Sequence, residues 1–259
     1  MTVFSEDKMR KLLQSCVILS LCLTGVASAG GHEKFVSYEV NGKAFQAYVA
    51  QPASAPKGKV FIVHDWDGLT DYEKKRADML AELGYQAIAL DLFGVGAKLE
   101  GFEDYRREAG ALYGNRAEFR ARLNAAISAA SATFDADLKE ILIGYCFGGA
   151  AVLEAARAGL DLDGFVSFHG GLGTPEGQDY SATSGPVLLL HGSADPVSGM
   201  GDLAAALNQL QEANIPHGAE IFGGARHSFT IEGSRDYDQA AEQGSWNAFL
   251  RFLEDNIGS

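Results

Sequence analysis

Short apolar runs alternate with helical segments along most of this chain, and this alternation is the strongest constraint on its fold. Strands are predicted, with helices between most of them, at residues 59–64, 87–90, 140–144, 164–168, 186–190 and 218–222. Strands joined in this way lie parallel, and the helices cover both faces of the sheet. The sequence therefore predicts an α/β protein with a mainly parallel central sheet, whose functional sites form beyond the carboxyl ends of the strands.

The region before these strands predicts a different pairing. Residues 35–40 and 44–50 are two runs with alternating apolar residues, joined through Asn41-Gly42. Asn and Gly tolerate the positive φ angles that a type I′ turn requires. We therefore expect an N-terminal antiparallel hairpin beside the parallel strands.

Two helices have recognisable beginnings. Thr70 and Glu73 form a capping-box pattern, and the helix that follows is expected to stop near Gly84. Its predicted apolar face consists of Tyr72, Met79, Leu80 and Leu83. Asn115 opens another helix, whose predicted apolar stripe consists of Phe119, Leu123, Ala126, Ile127 and Ala130.

The amino-terminal segment has the layout of a secretory signal peptide. Lys8, Arg10 and Lys11 precede an apolar run at residues 12–26, and small residues follow up to Ala29. This layout predicts cleavage after Ala29, and no basic stop-transfer group follows the run in the sequence. We therefore expect a signal peptide at residues 1–29, a single domain at residues 30–259, and a periplasmic or secreted protein.

Cysteine content and charge narrow the functional classes. Cys16 and Cys22 would leave with the signal peptide, so Cys146 would be the one thiol of the mature chain and would have no intramolecular disulfide partner. Such a cysteine is either a small buried hydrophobe or a candidate nucleophile. The formal charge of −13 argues against nucleic acids and anionic membrane surfaces as partners.

Cys146 lies in a motif typical of catalytic nucleophiles. Gly144-Tyr145-Cys146-Phe147-Gly148 follows a predicted strand and precedes a predicted helix, as in a strand–nucleophile–helix elbow. The glycines would let strand and helix approach closely, the helix N-terminus would favour a thiolate, and the Phe147 amide could donate to a developing oxyanion. The alternative is a glycine-rich turn around a buried cysteine.

Two further residues follow later strands in the order expected for a catalytic triad. Asp195 comes after the strand at 186–190, and His227 comes after the strand at 218–222. Asp195 would orient the His227 ring, which would transfer protons. Taken singly, Asp195 is also explained as a turn residue before proline and His227 as a loop histidine. Their joint occurrence with Cys146, after three separate strands, favours the triad.

On these residues the chain resembles the dienelactone hydrolases, which are α/β-hydrolases with a cysteine nucleophile. The resemblance covers nearly all of the predicted domain and rests on residues 64–68, 91–93, 144–149, 191–195 and 227–229. It implies hydrolysis of small esters or lactones through a Cys146, His227 and Asp195 triad and an acyl-enzyme. It implies no metal and no organic cofactor.

The resemblance also implies a carboxylate that contacts the thiol at the end of the early strand. The matching residue is Asp65, where the best-known members carry a glutamate, and it could keep or accept the thiol proton. The amide of Trp66 would be the second oxyanion donor, beside that of Phe147. Asp65 and Asp67 could instead cap the helix that follows.

The positions that would contact the substrate depart from the family pattern. Members that act on the diene lactone of aromatic degradation hold its carboxylate with arginines, one of them four residues after the catalytic histidine, where this chain has Ile231. Ser228 is retained, and Arg106 or Arg107 could match the other arginine. Tyr145 is a further candidate for the pocket wall. The pocket is therefore expected to prefer neutral esters or lactones.

The sequence thus predicts a carboxylic-ester or lactone hydrolase that acts on small molecules. The alternative is a non-catalytic binding or thiol redox-sensing protein that retains the scaffold. No membrane partner is expected after signal cleavage, and a monomer is the expectation, although the sequence does not determine the oligomeric state. His64, His169 and His191 are interpreted as scaffold or pocket wall, because the sequence has no metal-ligand spacing.

Overall fold

The computed structural model describes residues 35–134 and 137–258, which form one eight-stranded sheet and six helices. The strands are β1 (Phe35–Val40), β2 (Lys43–Ala50), β3 (Lys59–Val63), β4 (Gln86–Leu90), β5 (Glu140–Tyr145), β6 (Gly164–Phe168), β7 (Val187–Gly192) and β8 (His217–Phe222). The helices are α1 (Asp71–Glu82), α2 (Phe102–Gly114), α3 (Arg116–Thr133), α4 (Phe147–Arg157), α5 (Met200–Glu212) and α6 (Gln239–Ile257). The predicted signal peptide lies outside the described residues.

The sheet has the predicted, mainly parallel arrangement, in the order β1-β2-β4-β3-β5-β6-β7-β8. β1 and β2 form an antiparallel hairpin, β2 pairs antiparallel with β4, and the remaining neighbours are parallel. Asn41 and Gly42 both have positive φ, 51° and 78°, as the predicted type I′ turn requires. Because β3, β5, β6, β7 and β8 are consecutive parallel neighbours, the loops at their carboxyl ends lie side by side.

Helices cover both faces of the sheet, as predicted. α1 and α6 pack on the face that contains Ile62 and Ile143, whereas α3, α4 and α5 pack on the face that contains Phe61 and Leu142. β3, β4 and β6 are buried at every position. This two-sided burial explains why apolar residues on these strands do not alternate with exposed polar ones.

Helix α1 begins as predicted but buries a partly different face. Thr70 and Glu73 form both hydrogen bonds of the capping box. The predicted apolar face was wrong at Leu83, which is 41% exposed, while the charged residues Glu73 and Arg76 are buried. Both charges have partners inside the protein, because Glu73 accepts backbone hydrogen bonds and Arg76 pairs with Glu242 at 2.9 Å.

Helix α4, which follows Cys146, is buried along its whole length and is anchored through Glu154. The carboxylate of Glu154 pairs with Arg120 at 2.6 Å and with Arg116 and Arg157 at 3.2 Å each. These guanidinium groups compensate a buried charge that would otherwise be costly, and they join α3 to α4. The predicted apolar stripe of α3 is buried at all five positions.

The bounds of helix α2 are not predicted from the sequence, because few of its residues pack against the rest of the protein. Of its 13 residues only Ala109 and Leu112 are buried, and it begins at Gly101 without a side-chain cap. Its large side chains Phe102 and Tyr113 are exposed. Across residues 35–134 and 137–258, no helix has both the length and the apolar composition needed to cross a membrane.

Candidate active site

The turn between β5 and α4 holds Cys146 in an unusual backbone conformation. Its φ is 51° and its ψ is −107°, a region that residues with a side chain rarely adopt. The flanking glycines allow this turn. A Cβ on Gly144 would lie 2.3 Å from the backbone of Gly148, and a Cβ on Gly148 would lie 2.2 Å from the carbonyl oxygen of Val63. β3, β5 and α4 therefore approach too closely for any larger residue at the two positions.

The side chain of His227 contacts Cys146 at this edge of the sheet, and Asp195 contacts His227. Nε2 of His227 lies 3.0 Å from Sγ of Cys146, and its Nδ1 lies 2.7 Å from Oδ2 of Asp195. Oδ1 of Asp195 accepts the backbone N–H groups of Val197 at 2.7 Å and Ser198 at 3.1 Å. The structure thus links the three predicted triad residues in a chain of contacts, from Cys146 through His227 to Asp195.

Asp195 is held as a carboxylate. Burial raises the pKa of Asp195, but the hydrogen bond and charge of His227 and the amides of Val197 and Ser198 outweigh burial and hold that pKa below its usual value. Because a carboxylate accepts hydrogen bonds, Nδ1 of His227 carries the proton and Nε2 presents its lone pair to the thiol. In this tautomer His227 can accept a proton from Cys146.

Asp65 reaches the same sulfur and hydrogen-bonds to the Cys146 thiol. Its Oδ1 also accepts the backbone N–H of Trp66 at 2.5 Å, and its own backbone N–H donates to Glu73 at 3.2 Å. Burial raises the pKa of Asp65 to about 7, and the charges of Asp67 and Glu73 add to this rise. The shorter aspartate therefore still contacts the thiol.

The surroundings of Cys146 favour the neutral thiol. Burial raises the pKa of Cys146 well above its usual value, and the charge and hydrogen bond of Asp65 raise it further. The amide of Phe147 lowers that pKa, but by less. The expectation of a thiolate at the N-terminus of α4 was therefore wrong, because desolvation and a neighbouring carboxylate outweigh the helix amides.

Three other histidines at strand ends have partners within the protein. Both ring nitrogens of His64 bond backbone groups, at 2.5 and 3.1 Å. Nε2 of His169 lies 2.7 Å from Oγ1 of Thr230, and Nε2 of His191 lies 2.8 Å from the carbonyl oxygen of Ser198. Within the described part of the chain, no group of three or more His, Cys, Asp or Glu side chains is arranged to hold a metal ion.

A cleft of about 200 Å³ opens beside Asp65. It is lined by Asp65, Trp66, Asp67, Thr70, Tyr72, Glu73, Ser228, Ile231 and Ser234. Ser228 and Ile231, two of the predicted substrate contacts, therefore lie in its wall. Three carboxylates contribute to the wall, whereas no lysine or arginine from residues 35–134 or 137–258 does. The charged groups of the cleft wall are therefore all acidic, and most of the remaining polar side chains carry hydroxyls.

Arg106 and Tyr145, the other predicted substrate contacts, lie outside this cleft. Arg106 pairs with Glu103 at 3.0 Å on α2, and its side chain is 70% exposed. Tyr145 is completely buried, stacks on Phe168 with centroids 4.7 Å apart, and packs edge-on against Tyr72 at 5.1 Å. We assign Tyr145 to the core, because its side chain lies on the face of the sheet that α1 and α6 cover.

Two residues near the thiol were not identified from the sequence as site residues. The sequence predicts Glu73 only as a helix-capping residue. In the structure its carboxylate also accepts the backbone N–H of Asp65 and so helps to hold Asp65 in place. Tyr113, on α2, packs against Phe147 with ring centroids 5.6 Å apart. Burial raises the pKa of Tyr113 most, and the charges of Cys146 and Asp65 raise it further. No local sequence signal connects Tyr113 with a thiol on another element.

Known proteins are similar to this chain in sequence and in fold. The family model described as the dienelactone hydrolase family matches residues 45–257. A carboxymethylenebutenolidase of Pseudomonas putida is 29% identical over 50% of this chain and 57% of that protein, and a carboxymethylenebutenolidase candidate of Saccharolobus solfataricus is 26% identical over 85% and 98%. A solved dienelactone hydrolase-like promiscuous phosphotriesterase from metagenomic libraries has a TM-score of 0.78 and 31% identity, over 86% of this chain and 97% of that one.

The raised pKa of Asp65 predicts a pH-dependent effect of Asp65→Asn on stability. The folded-state pKa of about 7 lies above the usual 3.8, so Asp65 costs no stability below pH 3.8. As the pH rises toward 7, the cost of keeping Asp65 in the folded protein grows and lowers the free energy of unfolding, by on the order of a few kcal/mol. Asn retains the shape without the charge. The gain in unfolding free energy of the variant over wild type should therefore grow between pH 4 and pH 8, as measured by urea denaturation.

The exposed Asp71 on α1 provides the matched control for this experiment. Asp71→Asn removes the same charge from a fully exposed side chain, so its effect on unfolding free energy should change little between the two pH values. An Asp65→Asn difference that is constant with pH, or that shrinks as the pH rises, would contradict a buried carboxylate with a raised pKa.

Proposed function

Because the chain belongs to the dienelactone hydrolase family, it is a hydrolase of esters or lactones, and we propose that it acts through an acyl intermediate on Cys146. The observation that carries this proposal is the 3.0 Å contact between Sγ of Cys146 and Nε2 of His227, supported by the bond from His227 to Asp195. Nucleophilic acyl transfer needs a nucleophile, a base that can accept its proton, and a group that orients the base.

In the proposed first step, Sγ of Cys146 attacks the carbonyl carbon while the thiol proton passes to Nε2 of His227. The tetrahedral intermediate then collapses, the ester carbon–oxygen bond breaks, and His227 gives the proton to the leaving alkoxide. Water attacks the resulting thioester and loses a proton to His227. That proton returns to Sγ as the carboxylic acid product leaves. Asp195 stays ionised and stabilises the imidazolium form of His227.

The backbone amides of Phe147 and Trp66 are the proposed oxyanion donors. The Phe147 amide hydrogen-bonds to the sulfur, and the Trp66 amide is bonded to the carboxylate of Asp65. A substrate oxygen would therefore have to replace Asp65 at the Trp66 amide before the oxyanion site is complete. Since the pKa of Asp65 is about 7, its protonation at neutral pH costs little, and a neutral Asp65 is a weaker competitor for that amide.

Neutral esters or lactones are the proposed substrate class. Ile231 lies in the cleft wall together with the carboxylates of Asp65, Asp67 and Glu73. A substrate carboxylate in this cleft would meet charges of its own sign in a partly buried setting, where such repulsion is only weakly screened. A neutral substrate avoids this cost and gains apolar contact with Ile231.

The alternative, a thiol redox-sensing protein, has less support. Sensor cysteines rely on a low thiol pKa, because the thiolate is the form that reacts with oxidants. Burial and Asp65 raise the pKa of Cys146 instead. The contact between Cys146 and His227 has a direct use in hydrolysis, where proton transfer accompanies attack.

Export is a further part of the proposal, with residues 1–29 removed and a single domain at residues 30–259. The support is the order of basic, apolar and small residues up to Ala29. We expect protein purified from the native host to begin at Gly30 and to be found outside the cytoplasm. Amino-terminal sequencing of fractionated cells measures this, and an uncleaved chain in the soluble cytoplasm would refute it.

Cys146→Ala should abolish hydrolysis of a chromogenic short-chain ester, because no other group takes the place of the attacking sulfur. Cys146→Ser should leave weak activity at best, since the hydroxyl is much harder to deprotonate than the thiol for which the site is built. In wild type, acid quenching during turnover should reveal a mass increase equal to the acyl group on the peptide that contains Cys146. Circular dichroism provides the folding control, and near-wild-type turnover by Cys146→Ala would rule out the mechanism.

Ile231→Arg should shift preference toward a substrate that carries a carboxylate. An arginine in the cleft would supply a charge-assisted hydrogen bond worth roughly 1.5 to 3 kcal/mol, or on the order of ten- to a hundredfold in selectivity. The measurement is the ratio of kcat/KM for a carboxylated ester to kcat/KM for its neutral isostere. Wild type should hydrolyse the neutral ester at least as well as the carboxylated one.

Ile221→Arg is the matched control, because Ile221 is 50% exposed on β8 and does not line the cleft. It adds the same charge without changing the ratio. A strong wild-type preference for the carboxylated ester that Ile231→Arg leaves unchanged would show that another cation recognises the carboxylate and that position 231 does not set this preference.

A further inference from the structure

Aromatic rings lie beside the nucleophile and have no part in the proposed chemistry. The rings of Phe102 and Tyr105, on α2, contact the Trp66 ring at centroid distances of 5.2 and 5.6 Å. Tyr113, near the other end of α2, packs against Phe147 at 5.6 Å. We call Trp66, Phe102, Tyr105 and Tyr113 the aromatic shelf.

Two observations link the aromatic shelf to the residues around Sγ of Cys146. Trp66 directly follows Asp65, and its backbone N–H bonds the carboxylate that contacts the thiol. Burial is the largest cause of the raised pKa of Tyr113. The charges of Cys146 and Asp65 raise this pKa further, so the Tyr113 phenol lies near both groups. A substituent on a carbonyl bound at Sγ of Cys146 is therefore within reach of the shelf.

Two rings of the aromatic shelf remain exposed to solvent although each packs against another ring of the protein. Phe102, Tyr105, Ala109, Leu112 and Tyr113 have the spacing of one helical face. On this face Ala109 and Leu112 are buried. Phe102, in contrast, is 60% exposed and Tyr113 is 38% exposed. Trp66, which these α2 rings adjoin, also lines the cleft beside Asp65. Exposed aromatic groups next to a cleft are typical of ligand-binding surfaces.

We propose that the aromatic shelf binds a ring of the substrate, so that the preferred substrate is a neutral ester or lactone with an aromatic group next to the scissile bond. This inference deepens the proposed function and rests on it. A substrate ring gains edge-on or offset contacts with Trp66 and Phe102 and loses its exposure to water. The cleft beside Asp65, which Trp66 also lines, offers no lysine or arginine within the described residues for a charged substrate group.

Three esters test the inference: ethyl acetate, benzyl acetate and ethyl phenylacetate, which carry no ring, a ring on the alcohol side and a ring on the acid side. Wild type should have a higher kcat/KM for at least one aromatic ester than for ethyl acetate. Phe102→Ala should reduce this ratio on the order of five- to tenfold, because it removes one ring contact. Phe102→Tyr retains the ring and should retain the ratio.

Phe35→Ala is the matched control, since Phe35 is 40% exposed on β1 at one edge of the sheet. It should leave hydrolysis of all three esters unchanged. Two outcomes would overturn ring binding by the aromatic shelf and leave the proposed function standing. In the first, wild type hydrolyses ethyl acetate through Cys146 with no preference for aromatic esters. In the second, Phe102→Ala affects all three esters equally. If none of the three esters is hydrolysed, both ring binding and the proposed function are overturned.

Discussion

The close approach of β3, β5 and α4 at Gly144 and Gly148 is the constraint on which the rest of the structure depends. Backbone atoms occupy the space that a Cβ would need at either glycine, so only glycine at both positions permits the sharp turn between strand and helix. Cys146 lies at that turn with a positive φ, and its side chain is carried beyond the strand ends. Asp65 and His227 reach the sulfur, and Asp195 reaches His227, because their strands are parallel neighbours of β5 or continue the same series.

The thiol of the partly exposed Cys146 lies near two carboxylates whose own pKa values shift in opposite directions. Asp195 accepts hydrogen bonds from His227 and two amides, and this coordination holds its pKa below the usual value despite burial. Asp65 has fewer donors and more negative neighbours, so its pKa rises to about 7. One carboxylate therefore stays charged to support an imidazolium, while the other can become neutral near physiological pH. Two carboxylates whose pKa values diverge in this way can serve different roles in one reaction.

Much of the fold and part of the site could be predicted from the sequence, because their signals are local. Strand runs, the Asn41-Gly42 turn and the glycines around Cys146 each determine backbone geometry within a few residues. The protonation of Cys146 could not be predicted in the same way, since it depends on burial and on Asp65 from another strand. The core position of Tyr145 and the proximity of Tyr113 to the thiol likewise arise from packing between distant segments.

Trp66 connects the proposed reactivity with the proposed specificity, because its backbone amide and its ring have different partners. Its amide holds Asp65, which contacts the thiol, and its ring contacts Phe102 and Tyr105. A substrate whose ring packs against the Trp66 ring would place its carbonyl near the Trp66 amide, where its oxygen competes with Asp65. Binding at the aromatic shelf would thereby favour release of the carboxylate from that amide. Apolar contact would then contribute to the chemical step as well as to affinity, which is how binding energy raises kcat.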